Sequence, residues 1–187
     1  MIKLIVGLGN PGQEYQKTRH NAGFLFLDYL LDHYSGAWAN ESKFNSLMAN
    51  SFIGGEKVIF LKPQTFMNRS GLSVGAVARY YKFKTDEILV VHDELDFIPG
   101  MIKLKKGGGH AGHNGLRDII ANLGANDFYR VRLGIGRPAS GKSVSDYVLS
   151  NMAKGETEQL LSAFDLLGLQ MDRLVAGDIA KAMNALN

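Results

Sequence analysis

IKLIVGL at residues 2–8, the polar loop GNPGQEYQKTRHN at 9–21, and the recurring apolar positions Phe24, Leu27, Leu30, Leu31 and Tyr34 read as a strand, a loop and a helix in that order. The β-branched run ending in a turn is a buried strand. Asn21 is placed to cap a helix over 22–34. The alternation continues downstream. Strands are expected near 46–53 and 57–62, with Gly54-Gly55 as a hairpin turn. A loop over 63–69 leads into a helix from Ser70 to Tyr81, and ILVVHDEL at 88–95 is a second buried strand, ending in acids. MIKLKK (101–106) is a short alternating strand, and GGGHAGHNG (107–115) is a glycine loop opening a helix to 123. YRVRLGIG (129–136) alternates as a half-exposed strand should. ASGKS (139–143) reads as a flexible connection, and 156–186 as helical, with Leu160, Phe164, Leu167, Met171, Leu174 and Met183 on one stripe.

Strands alternating with helices predict an α/β chain: a three-layer α/β/α sandwich around a mixed, mostly parallel twisted sheet, forming one domain over 1–187. In such sheets ligands bind at loops beyond the C-terminal strand ends. Four loops rich in Asn, His and Asp stand out there: 9–21, 63–70, 92–99 and 107–115.

The 187 residues contain no cysteine, which removes disulfides, thiolate metal sites and cysteine nucleophiles, and a reducing compartment is expected. The apolar run at the N-terminus is too short for a signal-peptide core, and no stretch approaches a membrane span, so the expected location is cytoplasmic. The net charge of +3 is unevenly spread: residues 103–142 hold eight Lys/Arg against two acids, a local +6, and the rest of the chain stands at −3. That asymmetry points to a polyanionic partner.

Three literal motifs lack their structural context. Gly7-Leu8-Gly9-Asn10-Pro11-Gly12 spells GxGxxG, but a dinucleotide site needs its helix to open at that turn, and here Pro11 and QEYQKTRH intervene. Gly71-Leu72-Ser73-Val74-Gly75 spells GxSxG, and Ser73, Asp93 and His110 or His113 even follow a hydrolase order. A nucleophile elbow requires a strand running straight into the serine, whereas Ser73 falls within a helix. His110 and His113 match no zinc spacing, so neither a metal nor any other cofactor is expected. What remains is His20 in a polar loop, Asp93 at a strand end, and asparagines 10, 68 and 114 in separate loops. A histidine with an aspartate is the minimal unit for drawing a proton from water. Uncharged amides suit a peptide-like substrate or a developing oxyanion.

GLGNPGQEYQKTRHNAGF (7–24), KPQTFMNRSG (62–71), HDELD (92–96), GGGHAGHNGLRDI (107–119) and RVRLGIGRP (130–138) resemble, in order and spacing, the signature blocks of the bacterial-type peptidyl-tRNA hydrolases. The resemblance continues more weakly through YVLSNM (147–152) and the C-terminal helix. Ala111 departs from it, standing where glycine is more usual.

The resemblance implies a monomeric esterase that cuts the ester joining an N-blocked aminoacyl or peptidyl group to tRNA and that binds the acceptor stem and 3′ end of this substrate. It implies His20 as general base, Asp93 as its orienting partner, and Asn10 beside the substrate's first peptide link, favouring blocked over free aminoacyl groups. Asn68 and Asn114 would bind substrate and help place water or the oxyanion, with Phe66 and Met67 lining the cleft. Tyr15 and His113 would contact the terminal nucleotide region or shape the cleft. Lys103, Lys105 and Arg132 would meet tRNA phosphates. An aminoacyl ester is already activated, so neither a metal nor a covalent nucleophile is required. The rival from another class is a non-catalytic RNA-binding protein on the same fold, as in similar plant chloroplast splicing factors.

Overall fold

The computed structural model describes residues 1–187. Its strands are β1 (Leu4–Gly7), β2 (Ala39–Glu41), β3 (Ser46–Ile53), β4 (Glu56–Pro63), β5 (Ile88–Glu94), β6 (Ile102–Lys106) and β7 (Tyr129–Gly134). They form one seven-stranded sheet in the order β2-β3-β4-β1-β5-β7-β6. The central four, β4-β1-β5-β7, are mutually parallel, while β3 and β6 run against them. Parallel strands covered on both faces need unbroken apolar sequence, and LIVG of β1 and ILVV of β5 supply it. The β3–β4 hairpin turns on Gly54 and Gly55, both at positive φ (59° and 81°), the pair that a tight two-residue turn requires.

Helices α1 (Ala22–His33), α2 (Ser70–Tyr81), α3 (Asn114–Leu123), α4 (Val144–Val148), α5 (Lys154–Gly168), α6 (Met171–Ala176) and α7 (Ile179–Leu186) complete the chain. Ile5, Phe60, Leu89, Val91, Leu104 and Val131 point to one sheet face, where they pack with residues of α1, α5, α6 and α7. Leu4, Val6, Leu61 and Val90 point to the other, packed with α2 and α3. The result is a three-layer α/β/α sandwich.

One close approach decides where the site forms. A Cβ on Gly7 would stand 2.3 Å from the Gly23 carbonyl oxygen, and one on Gly23 would stand 2.4 Å from that of Val91. Without those side chains α1 lies directly on the ends of β1 and β5. The turn that precedes it, Arg19–Asn21, is thereby carried over the end of β5.

Several sequence expectations need correction. Asn21 does not cap α1: no side-chain cap bond is made there, and the amide is used elsewhere, as described below. The helical run over 156–186 is three helices, turned at Leu169–Gln170 and at Gly177, where φ is 90°. Strand β2 and helix α4 lie in stretches, 35–45 and 144–155, where the sequence suggests no element. Finally, β6 is antiparallel, so it ends beside the start of β7, with Lys106 opposite Tyr129. Loop 107–113 therefore begins at the far edge of the sheet and runs back to reach the end of β5. Ser73 is fully buried within α2 with no hydrogen-bond partner for its hydroxyl, so it is a packing residue, not a nucleophile.

Candidate active site

Asp93 is the last buried residue of β5, with its side chain only 3% exposed, and each carboxylate oxygen meets a different histidine. Oδ2 is 2.8 Å from His20 Nδ1, and Oδ1 is 2.7 Å from His113 Nε2. His20 comes from the turn before α1, and His113 from the end of the glycine loop, where it caps α3 by accepting from the Leu116 amide on Nδ1. That bond places the His113 proton on Nε2, where it is donated to Asp93. His20 likewise donates Nδ1–H to Asp93, and its Nε2 has no protein partner. Burial pulls the His20 pKa down, but the charge and hydrogen bond of Asp93 override it, and the net shift is upward. Burial would raise the Asp93 carboxyl, yet the two facing imidazoles hold it well below the usual carboxylate range.

These three groups lie within 4.8 Å of one another and are the one set able to ligate a divalent cation. His20 Nδ1 and His113 Nε2 are both bonded to Asp93, so a cation held by those two nitrogens would have to replace two hydrogen bonds. The pair singled out in the sequence, His110 and His113, does not converge: His110 Nδ1 accepts from Gly112 N within the loop.

A cleft of about 590 Å³ opens on His20 and Asp93, lined among others by Tyr15, Phe66, Met67, Asn68 and Asn114. Asn10, 6% exposed, is clamped: its N–H donates to Asn21 Oδ1, its carbonyl accepts from Asn21 Nδ2, and its own Oδ1 accepts from Met67 N at 2.7 Å. That leaves Asn10 Nδ2, at the cleft wall, without a protein partner. Asn68 and Asn114 are exposed at the rim, Asn114 accepting from Arg117. Tyr15 and Phe66 meet edge to face with ring centroids 6.2 Å apart. Phe66 holds φ 59°, a left-handed conformation that an aromatic residue adopts only where its surroundings enforce it, and the residue is 51% exposed. Ala111 also sits at positive φ, 49°, which is why glycine suits that position.

Two features of the cleft were not foreseen. One is the wall made by Val144, Ser145, Val148 and Leu149 of the α4 segment. It is fastened to the His20 turn: Arg19 donates to the Tyr147 carbonyl, to Ser150 and to Glu156, and its guanidinium lies 4.0 Å from the centre of the Tyr147 ring. The local signal was Ser143 three residues before Asp146, a helix-start pattern; Ser143 Oγ accepts from Asp146 N. The other is Asn21, whose clamp on Asn10 spans eleven residues and leaves no periodic trace.

Lys103, Lys105 and Arg132 share one face of the β6–β7 pair, with Lys103 opposite Arg132 and Lys105 opposite Arg130. This face adjoins the cleft without lining it, apart from Arg130. Arg132 rests on Phe97 at 4.8 Å, with Glu94 3.9 Å away. Burial, followed by the charges of Arg130 and Arg132, lowers the Lys105 pKa.

A model of the family described as peptidyl-tRNA hydrolase matches residues 4–187. The chain is 50% identical to a peptidyl-tRNA hydrolase of Bordetella parapertussis, over 100% of this chain and 88% of that protein. It is 50% identical to that of Dichelobacter nodosus (100% and 99%) and 52% identical to that of Pseudomonas entomophila (100% and 96%). The fold superposes on the crystal structure of peptidyl-tRNA hydrolase from Acinetobacter baumannii with a TM-score of 0.96, at 46% identity, covering 100% of this chain and 94% of that one. With the fold, the cleft and the relatives all in agreement, this chain belongs to the peptidyl-tRNA hydrolase family.

Proposed function

We propose that the chain hydrolyses the ester that joins a peptide to tRNA, with His20 as the base that activates water. The single observation that carries this reading is the 2.8 Å bond from His20 Nδ1 to Asp93, which leaves Nε2 free toward a cleft lined with amides. Nε2 takes a proton from a water in the cleft, and the hydroxide attacks the ester carbonyl. Asp93 stabilises the imidazolium that forms. The proton then passes to the ribose oxygen as it leaves. A positioned base of this kind contributes about 10²–10⁴-fold. Asn10, Asn68 and Asn114 supply neutral N–H donors for the peptide link and for the oxyanion. Asn10 Nδ2 selects blocked substrates, because a free aminoacyl group lacks the peptide oxygen that would accept from it.

The basic face of β6–β7 takes the phosphates of the acceptor stem and 3′ end, through contacts that position the RNA without reading its bases. The protein works as a single domain and a monomer in the cytoplasm; no helix is long and apolar enough to cross a membrane. The relatives named above and the matching crystal structure are peptidyl-tRNA hydrolases, so the non-catalytic RNA-binding reading is not favoured.

Turnover of an N-acetyl-aminoacyl-tRNA, with a metal chelator present, tests the proposal. Wild-type protein turns over and His20→Ala loses about 10²–10⁴-fold in kcat/KM; full activity in His20→Ala removes the mechanism. In the same assay Asn10→Ala lowers the ratio of rates on blocked and free aminoacyl-tRNA; an unchanged ratio would remove its role in selection.

A further inference from the structure

Among the basic residues of the 103–142 segment, one is unlike the rest. Arg130, on β7, is only 3% exposed and makes three hydrogen bonds, none to an acid. NH1 donates to the carbonyls of Gly107 and Gly109 at 3.3 and 2.9 Å, and Nε donates to His92 Nε2 at 3.2 Å. His92 in turn donates Nδ1–H to the Asp93 carbonyl at 2.8 Å. The carbonyls of Gly107, Gly108 and Gly109 receive only one other bond, a long one of 3.4 Å from Asn126 to Gly108. That loop must cross the sheet from the end of β6 to deliver His113 to Asp93. One guanidinium therefore reaches two of the groups that hold Asp93: His92, bonded to its backbone carbonyl, and, through the loop, His113, bonded to its carboxylate.

We propose that Arg130 is a positioning residue that holds the glycine loop, and through it His113 and Asp93, rather than a tRNA phosphate ligand. This rests on the reading of His20 and Asp93 as the water-activating pair. A planar fork with separate donors suits the task, because it reaches two loop carbonyls and an imidazole at once. A lysine keeps the charge but presents a single donor centre.

The test compares Arg130→Lys and Arg130→Met with Arg132→Ala, in turnover of N-acetyl-aminoacyl-tRNA and in binding of deacylated tRNA across a salt series. Arg130→Lys is expected to lower kcat by roughly 10- to 100-fold with little change in KM, the loss that follows when a reacting group drifts by about an ångström. The acid limb of its pH–rate profile shifts in the same direction as that of Asp93→Asn. In Arg130→Met the slope of log Kd against log salt stays at the wild-type value, whereas Arg132→Ala reduces it by about one. Near-normal kcat in Arg130→Lys, or a flattened salt slope in Arg130→Met, overturns the proposal.

If Arg130→Met does not fold, Arg130→Lys carries the kinetic comparison, and wild-type protein carries the other. An arginine-modifying reagent read by mass spectrometry is expected to leave Arg130 unmodified with and without tRNA. Modification that tRNA blocks would identify a phosphate ligand instead. His20→Ala measured alongside separates the two readings: if it retains activity the base assignment fails, whatever Arg130 does.

Discussion

Three histidines bond Asp93, and two of them, His20 and His92, behave in opposite ways. On the cleft side His20 meets the carboxylate; on the buried side His92, 1% exposed, meets the backbone carbonyl of the same residue. Burial lowers the pKa of both. In His20 the Asp93 charge reverses that shift, whereas in His92 burial is reinforced by the neighbouring His113 and Arg130, and its pKa falls well below the ordinary value. Which part of the aspartate a ring faces, not merely how near it lies, decides between a proton acceptor and a neutral bolt. Only His20 also has a free nitrogen in the cleft.

That contrast can be broken at the shared residue or at either side. Asp93→Asn has the largest effect. It keeps the shape but removes the charge and the correct imidazole orientation, and kcat/KM is expected to fall by up to about 10⁴-fold, as the same swap does in Ser-His-Asp hydrolases. Retention of more than a tenth of the activity would show that His20 does not need the carboxylate. His92→Ala acts on the sealed side and is expected to appear mainly as lost stability. It orphans a buried donor on Arg130, at a cost of about 1–3 kcal/mol in urea unfolding. No change in the unfolding midpoint would mean that His92 carries no structural load. Ala111→Gly has the smallest effect: relief of the left-handed strain at φ 49°, offset by the greater freedom of glycine when unfolded, leaves a gain of up to about 1 kcal/mol. A loss of stability there would show that the Ala111 methyl group packs usefully.

Much of this was legible in the sequence, and the exceptions have physical reasons. The hairpin, α2 and the buried β1 and β5 followed from periodicity and turn residues, because local chemistry and tertiary packing agree there. His20 and Asp93 were recognisable as polar residues placed at strand-end loops. The run of positive charge in 103–142 falls largely on the β6–β7 face, but charge counting cannot distinguish the half-buried Arg132 from Arg130, which is buried under the glycine loop. Asn21 looked like a helix cap because asparagine at that position commonly is one. Its amide instead met both backbone groups of Asn10, a pairing set by how the loop folds rather than by spacing. Three-residue β2 is too short to show a strand period, and the breaks between α5, α6 and α7 fall within a stripe that stays apolar across them.

The central claim is that Asp93 makes His20 the base. The direct measurement is the pH titration of the His20 ring by NMR in wild-type protein and in Asp93→Asn. Because the charged form of His20 is the one that Asp93 stabilises, the wild-type ring is expected to titrate above 6.5, with kcat/KM rising through the same pH as the ring loses its proton. In Asp93→Asn burial acts unopposed, and the titration moves below 6.5. A wild-type His20 titrating at or below 6.5, or one indifferent to Asp93→Asn, would contradict the account.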